Sequence, residues 1–424
     1  MLKHLILGAV CCCSFLSTQT VAQSRSGDAV RLELGSVDDP ALVDLVRETL
    51  SYHPQVLAAE AGVVTGEALE QAASRPVFNP EIGVDFESAD TDDRVLALSQ
   101  TLDVAGQRRA RRAVASSERQ VAEQQLAAAR RDLTLELLST LAEYWTAREL
   151  DALGVLRIDL MQRFAEVAQQ RQQAGDLTQV ALNVANLAYS QARIERTGSA
   201  AALAETEQFL EALTPQSGLG GWPQLPQELA AVELSEGDSL RLVATVPEMR
   251  IQQERLAVAD ATVTLRDRER RANPTLSLMG GEEENESLIG LSFSMPLNVR
   301  NRFQYEVSAA RAVKLQAERE LDNVTIRAQA RLQAATRRYA LTRDAWRQWL
   351  ETGAPNLAEQ TALIERLWRA GELEVTDYLV QLDQTLDTQA SALELERRLW
   401  FAWFEWLAAA GELGTWLGLP IETL

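Results

Sequence analysis

The chain of 424 residues carries 41 lysines and arginines against 61 aspartates and glutamates, a formal net charge of −20. That balance argues against a nucleic-acid partner, because phosphate contacts need clustered basic side chains. Two histidines and three cysteines leave little material for zinc sites or for cysteine or serine–histidine nucleophiles, so the composition points away from an enzyme, and neither a cofactor nor a tight metal site is expected.

In chain order, residues 1–22 read as a secretory signal. Lys3 and His4 open it, Leu5 to Leu16 is apolar, and Thr20-Val21-Ala22 offers small residues before a cut. The apolar run is too short to span a bilayer as a helix. The rival reading is a lipoprotein signal at Cys11, Cys12 or Cys13, but Val10, Cys11 and Cys12 stand where a small residue such as Gly or Ala is wanted. All three cysteines fall in this segment, so an exported chain would hold none and would draw its stability from packing or assembly. Residues 23–39 form an N-terminal extension.

From Pro40 onward the same cues come twice in the same order. Residues 40–215 and 234–411 each contain an X-Pro step (His53-Pro54, Val246-Pro247), a helical run, Asn-Pro (Asn79-Pro80, Asn273-Pro274), two alternating segments around an acidic turn, and an Arg-rich helix start. Each then reaches Ala-Gly-Asp-Leu (Ala174 to Leu177) or Ala-Gly-Glu-Leu (Ala370 to Leu373). The offset stays near about 195 residues, which reads as a duplication almost without insertion. Residues 216–233, rich in Gly and Pro, link the repeats, and 412–424 form a tail.

Each repeat predicts one β-hairpin, at about 81–102 and about 275–297. Ile82, Val84 and Phe86 alternate with Gly83, Asp85 and Glu87, and Ile289, Leu291, Phe293 and Met295 alternate with Gly290, Ser292 and Ser294. Leu96 and Leu98, and Leu276 and Leu278, supply the other two strands. An apolar face backed by a small or acidic one suits a water-filled barrel in lipid, although a sheet on a soluble core alternates in the same way. Membrane barrels begin at eight strands, so four per chain would require oligomerisation.

After the first hairpin no proline occurs between Pro80 and Pro215, and Gln107 to Ala174 predicts one helix interrupted only by Gly154. Such a helix would be about 100 Å long. Gly175 is expected to end it and Asp176 to start a return helix towards Leu213. In the second repeat Gly353-Ala354-Pro355 predicts a kink or a restart, since proline removes a helical hydrogen bond. No stretch after the signal reaches 18 uninterrupted apolar residues, which excludes a helical membrane protein and leaves a barrel open.

Three clusters carry candidate functions. The hairpin turns are acidic, with Glu87, Asp90, Asp92 and Asp93 in the first and Glu282, Glu283, Glu284 and Glu286 in the second. They are either solvated loop tips or a carboxylate-lined mouth that draws cations. Arg108, Arg109, Arg111, Arg112, Arg300 and Arg302 follow the hairpins, as helix-surface salt bridges or as partners of lipid phosphates. Trp400, Phe401, Trp403, Phe404, Trp406 and Leu407 are expected to be buried between helices of neighbouring chains, or else to form a membrane-interface belt.

The duplicated halves, each with one β-hairpin, long helices and a Gly-centred turn (Gly175, Gly371), resemble the TolC-like outer-membrane factors over nearly the whole chain after the signal. Within that family Ser99-Gln100-Thr101-Leu102-Asp103, followed by Gly106-Gln107-Arg108-Arg109, and the Pro355 restart before Arg369-Ala370-Gly371-Glu372-Leu373 are similar to the CzcC-like heavy-metal branch. The resemblance implies a mainly α fold with a small β part, in which duplicated long helical hairpins form an α-helical barrel. Four strands per chain would join a twelve-stranded outer-membrane β-barrel in a homotrimer. It also implies an exit duct of a Gram-negative outer membrane, reached by an inner-membrane RND pump through a periplasmic adaptor and exporting heavy-metal cations. A duct for drugs or for type I secretion is the alternative, and a soluble periplasmic coiled-coil scaffold is the alternative of another class. Gly175, Asp176, Gly371 and Glu372, which as bare sequence are helix C-caps, would lie at the periplasmic tip where the adaptor docks. Asp377 would stand at the constriction, while Val380 occupies the family's other carboxylate position.

Overall fold

The computed structural model describes residues 37, 39–88, 92–214, 221–226, 228–232, 236–283 and 286–419. The signal segment with its cysteines, residues 23–36, residues 216–220, Asp90 and Glu284 lie outside the described residues, and Asp92, Asp93 and Glu283 are described in backbone only. The fold is mainly α with one small antiparallel sheet. Helices α1 (Pro40–Tyr52) and α2 (Pro54–Ala73) meet at His53, whose Nδ1 accepts from the Gln55 N–H at 3.3 Å. Pro54 takes the first helical position, where its missing N–H would have found no partner anyway. Strands β1 (Glu81–Ser88) and β2 (Asp92–Thr101) lead into α3 (Gln107–Ala174), of 68 residues, which returns as α4 (Gln179–Leu213).

The second repeat follows the same plan: α5 (Glu236–Thr245), α6 (Pro247–Glu269), β3 (Thr275–Glu283), β4 (Glu286–Ser294) and α7 (Gln304–Gln348). A π-helical turn over Trp349–Gly353 then joins α7 to α8 (Ala354–Ala370), and α9 (Val375–Ala410) and α10 (Leu413–Leu417) close the chain. The π turn is how the chain accommodates Pro355. One wider turn, with the Ala354 N–H donating to Trp349 O, moves the proline into the first turn of α8. The Trp349 ring folds over Gly353, where an added Cβ would lie 2.1 Å from Trp349 Cε3.

Two local expectations are corrected. Helix α3 is not interrupted at Gly154; that residue instead gives clearance to α4, whose Ser199 Oγ and Arg196 Cγ would lie 3.2 and 3.4 Å from a Cβ there. Thr178, not Asp176, caps α4, its side chain accepting from the Ala181 N–H at 3.2 Å.

The upper core gathers around the end of α9. Trp403, Trp406 and Phe404 are buried against Tyr339 of α7 and Trp416 of α10, with Tyr339 and Trp403 centroids 4.9 Å apart. The Trp406 Nε1–H donates to Thr336 Oγ1 at 3.2 Å. The chain therefore buries these rings within itself, because α10 folds back over them. A second core joins the lower halves of α3, α4, α8 and α9 through Met161, Phe164, Ala185, Ile364, Tyr378 and Leu382.

Candidate functional site

The four strands form one sheet in the order β1-β2-β3-β4, every pair antiparallel, so the hairpins of the two repeats join through β2 and β3. Paired residues share a face, and the registers set out rows across the sheet. On one face run Ile82, Leu98, Leu278 and Leu291; Val84, Leu96, Gly280 and Ile289; and Leu276 with Phe293. On the other run Glu81, Ser99, Ser277 and Ser292; Gly83, Ala97, Met279 and Gly290; and Asp85, Val95, Gly281 and Leu288. The apolar face is uncovered, with Ile289 86 % and Ile82 73 % exposed. Strands β1 and β4 each have one neighbour, so their outer edges carry unpaired backbone groups.

The acidic residues divide between the faces. Glu87 stands opposite Asp93 and Glu283 opposite Glu286, which makes the outermost row of the small-residue face acidic. Glu282 instead shares a row with Arg94, itself opposite Phe86, in the series of the apolar face. The Arg94 guanidinium lies 5.7 Å from the Phe86 ring centroid.

Polar fastenings hold the foot of the sheet, and they give the sequence motif a physical role. The Asp103 carboxylate accepts from the Gln107 and Arg108 N–H groups at 2.7 and 2.8 Å, satisfying the open start of α3. The Gln100 Nε2 donates to Thr101 O and Phe78 O, and Thr101 meets Thr275 hydroxyl to hydroxyl at 2.8 Å across the repeat boundary. In the second repeat Asn301 has the matching task. Its Oδ1 accepts from the Phe303 N–H at 2.9 Å, and its Nδ2 donates to Glu306, holding that carboxyl below its usual range.

At the opposite end Gly175 and Gly371 both adopt left-handed backbone, with φ of 83° and 76°. The Asp176 N–H donates to Arg171 O at 2.9 Å and the Glu372 N–H to Leu367 O at 3.0 Å, the same six-residue closure at both tips. Phe164, Trp368 and Tyr378 stack between the two hairpins, with Trp368 and Tyr378 4.6 Å apart, and Arg171 lies over Trp368 at 4.6 Å. The side chains of Asp176, Glu372 and Asp377 are exposed. Asp377 lies in the first turn of α9, and its exposed strip continues through Val380, Gln384 and Asp387, opposite the buried Tyr378, Leu379, Leu382 and Leu386.

Above that strip lies a charge cluster that sequence reading missed. Arg157 of α3 bonds Glu195 of α4 at 2.5 Å and also Asp387 of α9, with Asp383 at 3.9 Å. Burial pushes Asp383 above its usual value and Arg157 opposes that, while Asp387 and Glu195 add to it. A cavity of about 190 Å³ beside the linker is lined by Trp145, Glu149, Leu225, Glu396 and Trp400, where burial and then Glu149 raise Glu396. The groups in both places come from elements far apart in sequence, and no local motif announces them. Among the described residues, no set of three or more His, Cys, Asp or Glu is placed to hold a metal ion, and no helix is long and apolar enough to cross a membrane.

No protein-family model matches this chain, and no curated protein matches it in sequence. Solved structures do match. The CmeC outer membrane channel of Campylobacter jejuni superposes with a TM-score of 0.73 at 15% identity, over 88% of this chain and 86% of that one. CusC, whose structures concern folding and transmembrane channel formation, gives 0.73 at 15% identity over 89% and 93%. The outer membrane protein VceC of Vibrio cholerae gives 0.68 at 18% identity over 87% and 96%. The duplicated helical hairpins crowned by a four-stranded sheet are thus the fold of outer-membrane channel proteins.

Proposed function

We propose that this chain is one protomer of a trimeric exit duct in the outer membrane of a Gram-negative bacterium. The observation that carries the reading is the sheet. An apolar face left open to the surroundings, two unpaired edges, and a small or acidic opposite face are what one third of a lipid-embedded, water-filled barrel needs. Three copies would bring twelve strands, and the first hairpin helix would carry the duct about 100 Å away from the membrane. A soluble scaffold has no use for such a belt. Export of the full-length protein with cleavage of its signal segment should place it in the outer-membrane fraction, extractable only by detergent, with heat-modifiable migration and a threefold tube in single-particle images. A soluble monomer rejects the reading.

The cargo proposed is metal cations, held loosely in passage and driven by an inner-membrane RND pump reached through a periplasmic adaptor docked at the Gly175 and Gly371 tips. The acidic row of Glu87, Asp93, Glu283 and Glu286 supports it, since a ring of carboxylates at an opening concentrates cations. Deleting the gene should sensitise cells to cobalt, zinc, cadmium or copper. Unchanged metal tolerance with new sensitivity to dyes or detergents would assign the duct to drugs.

A further inference from the structure

Both sides of the foot of the sheet carry clustered arginines, and they differ in what holds them. In the first repeat Arg112 pairs with Glu70 at 3.4 Å, and Arg111 donates to Arg75 O at 3.4 Å. In the second, Arg270 and Arg271 share the single carboxylate of Asp267, at 3.3 and 3.9 Å. Among the described residues no ion pair or hydrogen bond engages the Arg302 side chain. These groups line one open pocket of about 380 Å³ with Asn298, whose Nδ2 donates to Arg270 O at 2.8 Å and ties the segment after β4 to the end of α6. Three exposed arginines against the one aspartate thus line an open surface pocket, in a chain whose total is −20.

What lies beside the recess decides what would fill it. The exposed face of β4 (Ile289, Leu291, Phe293) is followed by Met295, Leu297 and Val299, all exposed, where the chain turns with the Val299 N–H donating to Leu297 O at 2.8 Å just before Arg300 and Arg302. An apolar strip ending on clustered guanidinium groups matches a molecule with acyl chains and an anionic phosphate head. Guanidinium forks bond phosphate oxygens in pairs, and the strip removes chain surface from water. Free phosphate would use the arginines and leave the strip bare.

We infer that each protomer holds one anionic phospholipid, its phosphate in the pocket of Arg270, Arg271, Asn298 and Arg302 and its chains along Phe293, Met295, Leu297 and Val299. The inference rests on the outer-membrane reading, with the pocket at the periplasmic leaflet, and it specifies a ligand that the duct reading does not require.

The test uses full-length protein purified in detergent and delipidated, then incubated with phosphatidylglycerol, phosphatidylcholine or inorganic phosphate, with bound molecules counted by native mass spectrometry. Phosphatidylglycerol should be retained about tenfold better than phosphatidylcholine, and the triple variant Arg270→Gln, Arg271→Gln, Arg302→Gln should lose that preference. Arg302→Gln alone, which breaks no contact of the fold, should weaken retention about fivefold with unchanged oligomer migration, so misfolding of the triple variant leaves the test intact. Equal retention of the two lipids, or wild-type retention by Arg302→Gln, overturns the proposal. Displacement of the lipid by equimolar inorganic phosphate overturns it in favour of a free-anion site. Failure of the duct reading would show elsewhere, as protein soluble without detergent, so the two failures are distinguishable.

Discussion

Arg157 is the residue on which the charge balance between the two hairpins turns. Its side chain is 18 % exposed and faces Glu195, Asp383 and Asp387. Arg157→Gln would leave three carboxylates without their common cation. Asp383 is already held above its ordinary value by burial, and losing Arg157 removes the cation that opposes that rise. A carboxyl raised in the folded state makes folding less favourable above that raised value and ceases to do so as pH falls through it. The variant should therefore unfold at lower urea than the parent at pH 7.5, by about 1 kcal/mol because the partners are half exposed, and the gap should narrow at pH 5. Asp377 asks for a different readout. It is exposed in the first turn of α9, so Asp377→Ala should cost only a few tenths of a kcal/mol through the helix dipole. On the trimeric-duct proposal, the same variant should change single-channel conductance in planar bilayers and weaken block by multivalent cations, with assembly unchanged; identical conductance and block would remove Asp377 from the proposed constriction. The tip glycines were legible in the sequence because a left-handed cap has a nearly unique residue. The Arg157 cluster was not, since its hydrogen-bonded partners are 38 and 230 positions away.

At the level of single elements, the strands were legible from period two and the long helices from the absence of proline, since both signals are local. Strand order was not, because nothing in either hairpin says that β2 and β3 must be neighbours. Gly281 makes that pairing sterically possible. An added Cβ would lie 1.9 Å from Arg94 O and 2.8 Å from Val95 Cα, both backbone atoms of β2 that cannot turn aside. Gly281→Val should push the strands apart, cost about 1–3 kcal/mol, and, on the trimer proposed above, remove the heat-resistant oligomer from gels. Gly280→Val is the control, because its Cβ meets nothing nearer than Leu288 O at 3.7 Å. The π turn was half legible. Pro355 predicted a disturbance, but the wider turn that absorbs it depends on Trp349 lying over Gly353, a contact within the turn itself. The α9 aromatics were legible as a buried set, and their partner was not, because the five-residue α10 gives too short a pattern to read.

For the molecule as a whole, the two repeats hold each other across the sheet, through Thr101 and Thr275, and across the helices, where Arg131 of α3 bonds Glu248 of α6 at 2.5 Å. Neither repeat alone can form more than one hairpin. A chain divided between residues 226 and 227 should therefore give two pieces that copurify when exported together, while either piece alone is degraded; recovery of a stable single half by affinity purification would contradict the interlocking. The joined sheet also has a consequence in time. Thr101 and Thr275 are 174 positions apart, so on the proposed export route the first hairpin emerges well before the strand it must lie against. Its apolar row of Ile82, Val84 and Phe86 spends that interval without cover, the condition under which unfinished chains aggregate. On the export route proposed above, survival of the newcomer would depend on a periplasmic escort for the first hairpin until the last strand of the sheet has crossed the inner membrane.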